Sequence, residues 1–173
     1  MDISEFLELS AGKWFSQRTI HNLSSGQLQA GKSNLTITLL PQNEPSITQL
    51  CEHHQVDPTM AWGGLQLAWE GTVEGDSQSQ TGSTMLVPLI DSDSPHEGQF
   101  LQKRPGYDDH AFKGSYFLGE DEVLVLITET DNFYVEERLW YLMPNLRLRT
   151  SIFKHTNGVS QASFCSEIRI GIK

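Results

Sequence analysis

The sequence predicts an all-β protein, an antiparallel up-and-down β-barrel that carries an N-terminal helix and one further short helix. Alternating apolar and polar residues recur along most of the chain, and turn-forming residues separate these stretches at hairpin spacing. Because the predicted strands follow one another without helices between them, an up-and-down barrel is favoured over a sandwich. Such barrels commonly hold one small ligand.

Two segments have helical periodicity. Residues 2–10 suit a short helix, with Asp2 near its start and Phe6 on its apolar side, and a helix at this place predicts a lid or plug. Residues 46–54 predict the second helix, because Ser46 can cap it and an apolar stripe follows.

The remaining patterned segments predict strands. In the first of them Trp14, Ser16 and Arg18 share one face, as period-two alternation requires. Polar segments at 75–82 and 91–98 predict loops. The predicted strands cover residues 12–20, 34–40, 62–70, 83–90, 112–118, 122–130, 133–142, 146–154 and 160–172.

Size and charge restrict the classes of function. With 173 residues, 38% of them hydrophobic, and no linker, the chain predicts a single domain over residues 1–173. The net charge of −10 disfavours nucleic acid and anionic membranes as partners. No leader-like or membrane-spanning segment is found, so we expect a soluble, cytoplasmic protein whose Cys51 and Cys165 are free thiols.

Residues 26–33, GQLQAGKS, match the phosphate-binding loop pattern G-x-x-x-x-G-K-[ST]. That loop functions only between a buried strand and a helix, whereas polar residues precede this segment and strand formers follow it. We therefore reject a nucleotide site. The 6 histidines show no ligand spacing, so no metal site is predicted, and no self-contained nucleophile is found.

The stretch 136–151, EERLWYLMPNLRLRTS, predicts a hairpin with concentrated charge. If residues 143–145 connect its strands, Trp140 pairs with Arg149 and Arg138 with Ser151. A one-residue change of register would rearrange the faces. One face then carries Glu136, Arg138, Trp140, Arg147, Arg149 and Ser151, and the other carries Glu137, Leu139, Tyr141, Leu148 and Thr150.

Two interpretations of this charged face are open. In the functional one, the guanidinium groups meet carboxylates of a ligand, Trp140 meets an aromatic plane, and Glu136 meets a cationic or NH-bearing group. In the other, the face is a solvated surface of ordinary ion pairs.

Gly12-Lys13-Trp14 on the first strand, just after a short helix, is a second signal. In lipocalin-like barrels a G-x-W at this place lets the tryptophan close the barrel floor, often beneath an arginine of the last strand. Arg169 is placed to do this, which favours a calyx over a sandwich. Trp69 shares a strand face with Leu65 and Leu67 and is a core residue or a ligand contact.

Together these segments resemble the S-type phycobiliprotein lyases, the CpcS/CpeS family of bilin-attaching proteins from cyanobacteria and related plastids. The resemblance runs over nearly the whole chain. It rests on FLELSAGKWFSQRTIH (6–21), GSTMLVP (82–88), EERLWYLMPNLRLRTS (136–151) and SFCSEIR (163–169).

The resemblance implies a calyx of lipocalin or fatty-acid-binding type that takes a free linear tetrapyrrole of the phycocyanobilin type. The bilin is the substrate, with no tightly bound cofactor, and is delivered to a cysteine of an apo-phycobiliprotein subunit of the phycobilisome. The acceptor's thiol adds to the ethylidene group of ring A, so the lyase needs no nucleophile. The resemblance also implies a homodimer, or a hetero-oligomer with a sister lyase subunit, in the cyanobacterial cytoplasm or plastid stroma.

The resemblance also assigns residues to these tasks. Arg147 and Arg149, with Arg18 as a third candidate, would bind the two propionates. Glu136 would be the counter-ion for the pyrrole NH groups, and Glu137 would replace it if the register shifts by one. We therefore expect Glu136, Arg147 and Arg149 to catalyse by positioning. The remaining expected ligand contacts are Trp14, Trp69, Trp140 and Ser151.

A different class of function fits the same features. A calyx with arginines inside could also be a non-catalytic carrier of a fatty acid or another amphipathic anion. Lipid extracted from the purified protein and not displaced by bilin would favour the carrier.

Overall fold

Ten antiparallel strands close into one barrel in the computed structural model, which describes residues 1–103, 111–158 and 160–171. Each strand pairs with the next one in the sequence, and β1 pairs with β10 to close the ring, which confirms the predicted up-and-down barrel. The strands are β1 Gly12–Asn22, β2 Leu28–Leu40, β3 Gly64–Val73, β4 Gln80–Leu89, β5 Glu97–Lys103, β6 Ala111–Leu118, β7 Leu124–Glu129, β8 Phe133–Met143, β9 Leu146–His155 and β10 Ser160–Ile170.

Strand β5 was not predicted. Its central residues Phe100 and Leu101 are both buried, because Phe100 faces the barrel interior and Leu101 packs under a helix on the outside. A strand buried on both faces loses the alternation that reveals a half-exposed one. Strand β2 begins at Leu28, so most of the 26–33 segment is strand and its rejection as a phosphate loop is confirmed. Residue 172, the predicted end of the last strand, lies outside the described residues.

The first helix, α1 (Ile3–Ser10), plugs one end of the barrel. Asp2 accepts a hydrogen bond from the Glu5 amide and Glu5 accepts one from the Asp2 amide, so a capping box starts the helix. Phe6 and Leu7 are buried in the interior core against Trp14. The predicted plug is therefore present, and we call this end of the barrel the floor and the opposite end the mouth.

The second helix, α2 (Pro45–His53), lies on the outer face of β4 and β5. The predicted cap at Ser46 is wrong: Glu44 is the N-cap residue and its side chain makes no capping bond. Pro45 explains the shift, because its fixed φ and missing N–H suit the first helical position. A short 3₁₀ turn, Pro58–Met60, follows. In the described part of the chain, no helix has the length and apolar character that crossing a membrane requires.

Candidate functional site

The barrel encloses a cavity of about 510 Å³ above the floor, which we call the lumen. This volume lies within the range of small-molecule sites. Among the described residues, no group of three or more His, Cys, Asp or Glu side chains could hold a metal ion. Of the predicted site residues, those that line the lumen are Arg18, Trp69, Glu137, Arg147 and Arg149.

The floor is built around Trp14, which is fully buried. The guanidinium carbon of Arg169 lies 4.1 Å from the centroid of its ring, and the indole N–H donates to the Ser10 carbonyl at 2.9 Å. Arg169 also donates to the carbonyls of Leu9 and Ala11 at the end of α1. The predicted cover of Trp14 by Arg169 is confirmed, and it locks the plug helix to the barrel.

The predicted register of the β8–β9 hairpin holds at the turn, where Met143 pairs with Leu146, and is wrong beyond it. An irregularity at Leu142 leaves that residue unpaired, as in a β-bulge. Every residue of β8 before Leu142 is therefore displaced by one position and faces the side opposite to the one predicted. The observed pairs are Tyr141 with Arg147, Leu139 with Arg149 and Glu137 with Ser151.

This shift moves Glu136 and Trp140 to the outer face of the barrel and Glu137 to the inner face. Glu136 accepts hydrogen bonds from the Tyr134 hydroxyl at 2.7 Å and from Arg138 Nε at 2.9 Å. These two bonds lower the pKa of Glu136 below its ordinary value. The prediction that Glu136 and Trp140 face the ligand is therefore corrected: both lie outside the lumen. Glu137, the predicted alternative, lines the lumen instead.

Arg147 is part of the floor. Its Nε donates to Glu167 at 2.6 Å, Nη2 lies 2.6 Å from the same carboxylate oxygen, and Nη1 donates to the Ser10 hydroxyl at 3.2 Å. Its guanidinium carbon also lies 5.1 Å from the Trp14 centroid, and the side chain is 3% exposed. With all three nitrogens engaged, Arg147 supports the plug more than it offers a site to a ligand.

Glu167 is the principal site residue that the sequence analysis missed. Its side chain is 0% exposed, and it contacts Arg147 at 2.6 Å and Arg149 at 3.3 Å. A signal was available: Glu167 stands two residues before Arg169, and residues two apart on a strand share a face. The charge that partners the two arginines could thus have been found by extending the Arg169 argument along β10.

Arg149 lies above Arg147 on the same face and is 28% exposed. Its Nη2 is 3.3 Å from Glu167 and donates to Cys165 Sγ at 3.6 Å, and its Nη1 is 3.8 Å from Glu137. Burial acts to lower the pKa of Arg149, but the negative charges around it, Glu167 foremost, raise it above the ordinary value. The guanidinium therefore stays charged. Its Nε is buried and has no hydrogen-bond partner among the described residues.

Two further predicted contacts lie on β9 and β1. The Ser151 hydroxyl is 2.6 Å from that of Ser163 on β10, and since each hydroxyl has one proton, one of the two remains a donor for another group. Arg18 is exposed, lines the lumen and pairs in register with Cys165. No ion pair of Arg18 is found in the described part of the chain.

Trp69 lies on β3 in the wall opposite the hairpin and is 37% exposed. Its indole lies over Gly82 of β4, its register partner, so closely that a Cβ at position 82 would overlap the ring. Only glycine permits this approach. The predicted lumenal tryptophan therefore lies against the neighbouring strand β4.

The family model described as CpeS-like protein matches residues 2–170 of this chain. A chromophore lyase CpcS/CpeS from Thermosynechococcus vestitus is 49% identical over 173 residues, which cover 99% of this chain and 94% of the relative. The phycocyanobilin lyase subunit CpcS of Picosynechococcus sp. is 35% identical over 171 residues, with coverages of 98% and 86%.

A solved structure is also similar along the whole chain. The S-type phycobiliprotein lyase CPES from Guillardia theta matches with a TM-score of 0.88 and 32% sequence identity, covering 100% of this chain and 95% of that one. Sequence and fold thus agree on one group of relatives.

Proposed function

This chain belongs to the CpeS-like protein family, and on that premise we propose that it is a chromophore lyase. It binds a free linear tetrapyrrole, of which phycocyanobilin is the best candidate, and attaches it as a thioether to a cysteine of an apo-phycobiliprotein subunit. The names of its relatives support the reaction class and the bilin substrate.

The observation that carries this proposal is the position of Arg149 in the lumen, where its side chain is 28% exposed and its contacts with its two carboxylate partners are long, at 3.3 and 3.8 Å. A carboxylate that enters the lumen can accept charge-assisted hydrogen bonds from this partly exposed guanidinium. A bilin propionate supplies such a carboxylate. Arg18, which lines the same cavity, is a suitable cation for the second propionate.

The charges of the lumen fit the rest of the bilin. Arg147 and Arg149 are balanced by Glu167 and Glu137, and Arg18 adds one positive charge. Glu137 is 29% exposed, and its contact with Arg149 is long at 3.8 Å, so it can accept hydrogen bonds from pyrrole NH groups without leaving its position. We propose Glu137 for the role first given to Glu136, and Trp69 as the flat surface for one ring.

Catalysis in this proposal is positioning. The acceptor's thiol adds across the exocyclic C=C bond of ring A. The sulfur bonds to the ethylidene carbon, the double bond becomes a single bond, and the adjacent ring carbon gains one proton for the one that the thiol loses. No electrons leave or enter, so neither an oxidant nor a reductant is required. The lyase holds a flexible chromophore in one conformation and presents ring A, which raises the effective concentration of the reacting pair.

Mixing the purified protein with phycocyanobilin and then with an apo-subunit tests the function. We expect a change in bilin absorption on binding and a thioether adduct on the acceptor peptide, detected by mass spectrometry. The absence of both would refute the proposal. The carrier alternative is not favoured, because the named relatives are lyases.

Three expectations about the working unit stay predictions. These are a single domain over residues 1–173, assembly as a homodimer or with a sister lyase subunit, and a cytoplasmic or stromal location. Sedimentation of the purified chain, alone and with a candidate sister subunit, would test the second.

A further inference from the structure

A group of phenylalanines lies toward the mouth of the barrel, away from every contact proposed so far. Phe133, the first residue of β8, and Phe112, near the start of β6, line the lumen with ring centroids 5.3 Å apart. Phe153 of β9 stacks on Phe133 with centroids 5.8 Å apart and planes inclined by 20°. We call Phe112, Phe133 and Phe153 the aromatic wall.

The surface facing this wall carries a further aromatic side chain, Trp69. In the closed ring of ten strands, four strands separate β8 from β3 in either direction, so Phe133 and Trp69 lie on opposite sides of the barrel. The lumen beside Trp69 is lined by Gly71, which has no side chain, and the indole itself lies over Gly82. Planar conjugated rings bind well between such surfaces, because stacking on aromatic faces requires no polar partner.

The order of residues along β9 sets the depth of each ligand group. Inward-facing positions run from Arg147 at the floor through Arg149 and Ser151 to Phe153. Arg149 and Phe153 are four residues apart, roughly 13 Å at the ~3.3 Å rise of a strand. The propionates of a bilin lie on its two inner rings, so a bilin held at Arg149 extends one end ring toward the aromatic wall and the other toward the floor.

The floor cannot admit another protein, since α1, Trp14 and Arg169 fill it. The acceptor's thiol must therefore arrive from the mouth, and the ring that reacts with it must be the ring nearer the mouth.

We propose that the aromatic wall binds ring A, the ring that bears the ethylidene group, and that Phe133 orients this ring for attack by the acceptor's sulfur. The inference rests on the proposed function and adds the direction in which the bilin enters. Phenylalanine suits this position because it restrains the ring plane and supplies no nucleophile that would compete with the thiol. The bilin then lies with ring D deep in the lumen.

Phe133→Leu tests the proposal by separating binding from transfer. Arg149 and Glu137 remain, so we expect the Kd for phycocyanobilin, measured by absorption titration, to change by no more than about threefold. The rate of thioether formation at saturating bilin should fall about tenfold, because ring A is no longer held in the orientation that the thiol attacks. Phe133→Tyr retains the ring and should restore the rate. Phe117→Leu, at a 52%-exposed position on the outer face of β6, is the matched control and should alter neither quantity.

A second measurement identifies the ring at the wall. Phycocyanobilin and phytochromobilin differ only in the ring D substituent, so Phe133→Leu should leave the ratio of their Kd values unchanged. A changed ratio, or an undiminished transfer rate in a Phe133→Leu protein with a normal unfolding curve, would overturn the inference. If Phe133→Leu does not fold, Phe112→Leu, which removes a ring from the same aromatic wall, gives the same ratio test. A wild-type protein that binds neither bilin would instead overturn the proposed function.

Discussion

Arg147 and Arg149 lie two residues apart on one strand and face the same lumen, yet their surroundings give them different roles. Arg147 lies at the floor, 3% exposed, with each of its nitrogens engaged by Glu167 or Ser10. Arg149, one step nearer the mouth, is 28% exposed and has an unpaired Nε. The comparison teaches that the number of donors already satisfied, more than residue type or strand face, separates a structural arginine from a ligand-binding one.

The two levels of the lumen differ in the same way. At the floor, buried charges are matched by partners at 2.6 Å, and removing either partner would leave an uncompensated charge in a dry environment. At the level of Arg149 the contacts lengthen to 3.3 and 3.8 Å, and solvent reaches the side chains. The charged groups at the floor have all their partners, so the empty calyx stays folded. The charged groups at the level of Arg149 have long contacts, so a ligand that fills the calyx can add new ones.

Arg147→Ala should have the largest effect of the changes that test this contrast. It leaves the fully buried Glu167 without its closest partner and removes a support of the plug helix. We expect the free energy of unfolding to fall by about 3–5 kcal/mol, measured by urea denaturation. A loss below about 1 kcal/mol, equal to that of Arg149→Ala, would show that the floor is not the more tightly built level.

Arg149→Ala should have the converse pattern. Its charge-assisted contacts with a propionate are worth about 1.5–3 kcal/mol, so we expect bilin binding to weaken by about 10- to 100-fold in an absorption titration. Stability should fall by only about 1 kcal/mol, since the side chain is partly solvated. Unchanged bilin affinity, with Arg18→Ala causing the loss instead, would move the principal anion site to β1.

Gly82→Ala tests the wall that faces the hairpin. The added methyl group would overlap the indole of Trp69 and must push it into the lumen or out of the mouth. We expect bilin affinity to fall by about tenfold or less, in line with the loss of one aromatic contact, with a shift of the tryptophan fluorescence. Full affinity in Gly82→Ala would show that Trp69 is not a ligand surface.

Exchanging the neighbouring carboxylates tests the corrected register. Glu137→Gln should weaken bilin binding several-fold, about 1 kcal/mol, because it removes an acceptor charge from the lumen. Glu136→Gln should leave the affinity unchanged, since that side chain lies outside the barrel. The opposite ranking of the two variants would restore the register first predicted.

The smallest effect concerns acid stability. Hydrogen bonds from Tyr134 and Arg138 hold the pKa of Glu136 below the ordinary 4.5, so the carboxylate stabilises the fold above that pH and loses this contribution as the pH falls through its lowered value. The Glu136→Gln variant has no carboxylate here, so it lacks this pH-dependent contribution to stability. We expect the stability difference between the wild type and the variant to narrow on acidification below pH 4.5, measured by urea denaturation. A difference that widens on acidification would assign the effect to another group.

The prediction of the hairpin shows where inference from sequence stops. Period-two alternation correctly placed Arg147 and Arg149 on one strand face, and hairpin spacing placed the turn to within one residue, since Met143, predicted in the connection, ends β8. Nothing in the letters around Leu142 marks the bulge, because a bulge depends on how the closing barrel bends β8. This one unpaired residue places Glu137, and not Glu136, on the inner face of the barrel.

By itself, the sequence determined the barrel, the plug helix, the pairing of Trp14 with Arg169, and the presence of arginines and a tryptophan inside. The barrel, the plug helix and the inward-facing residues follow from local patterns, since alternation and turns act over a few residues, whereas the pairing of Trp14 with Arg169 was predicted from the resemblance to lipocalin-like barrels. Only the tertiary structure decided that β5 completes the ring, that Glu137 faces inward, and that Glu167 engages both arginines. The reason is that burial on both faces of a strand, bulges and ion pairs between strands depend on neighbours brought together by barrel closure, which no single segment records.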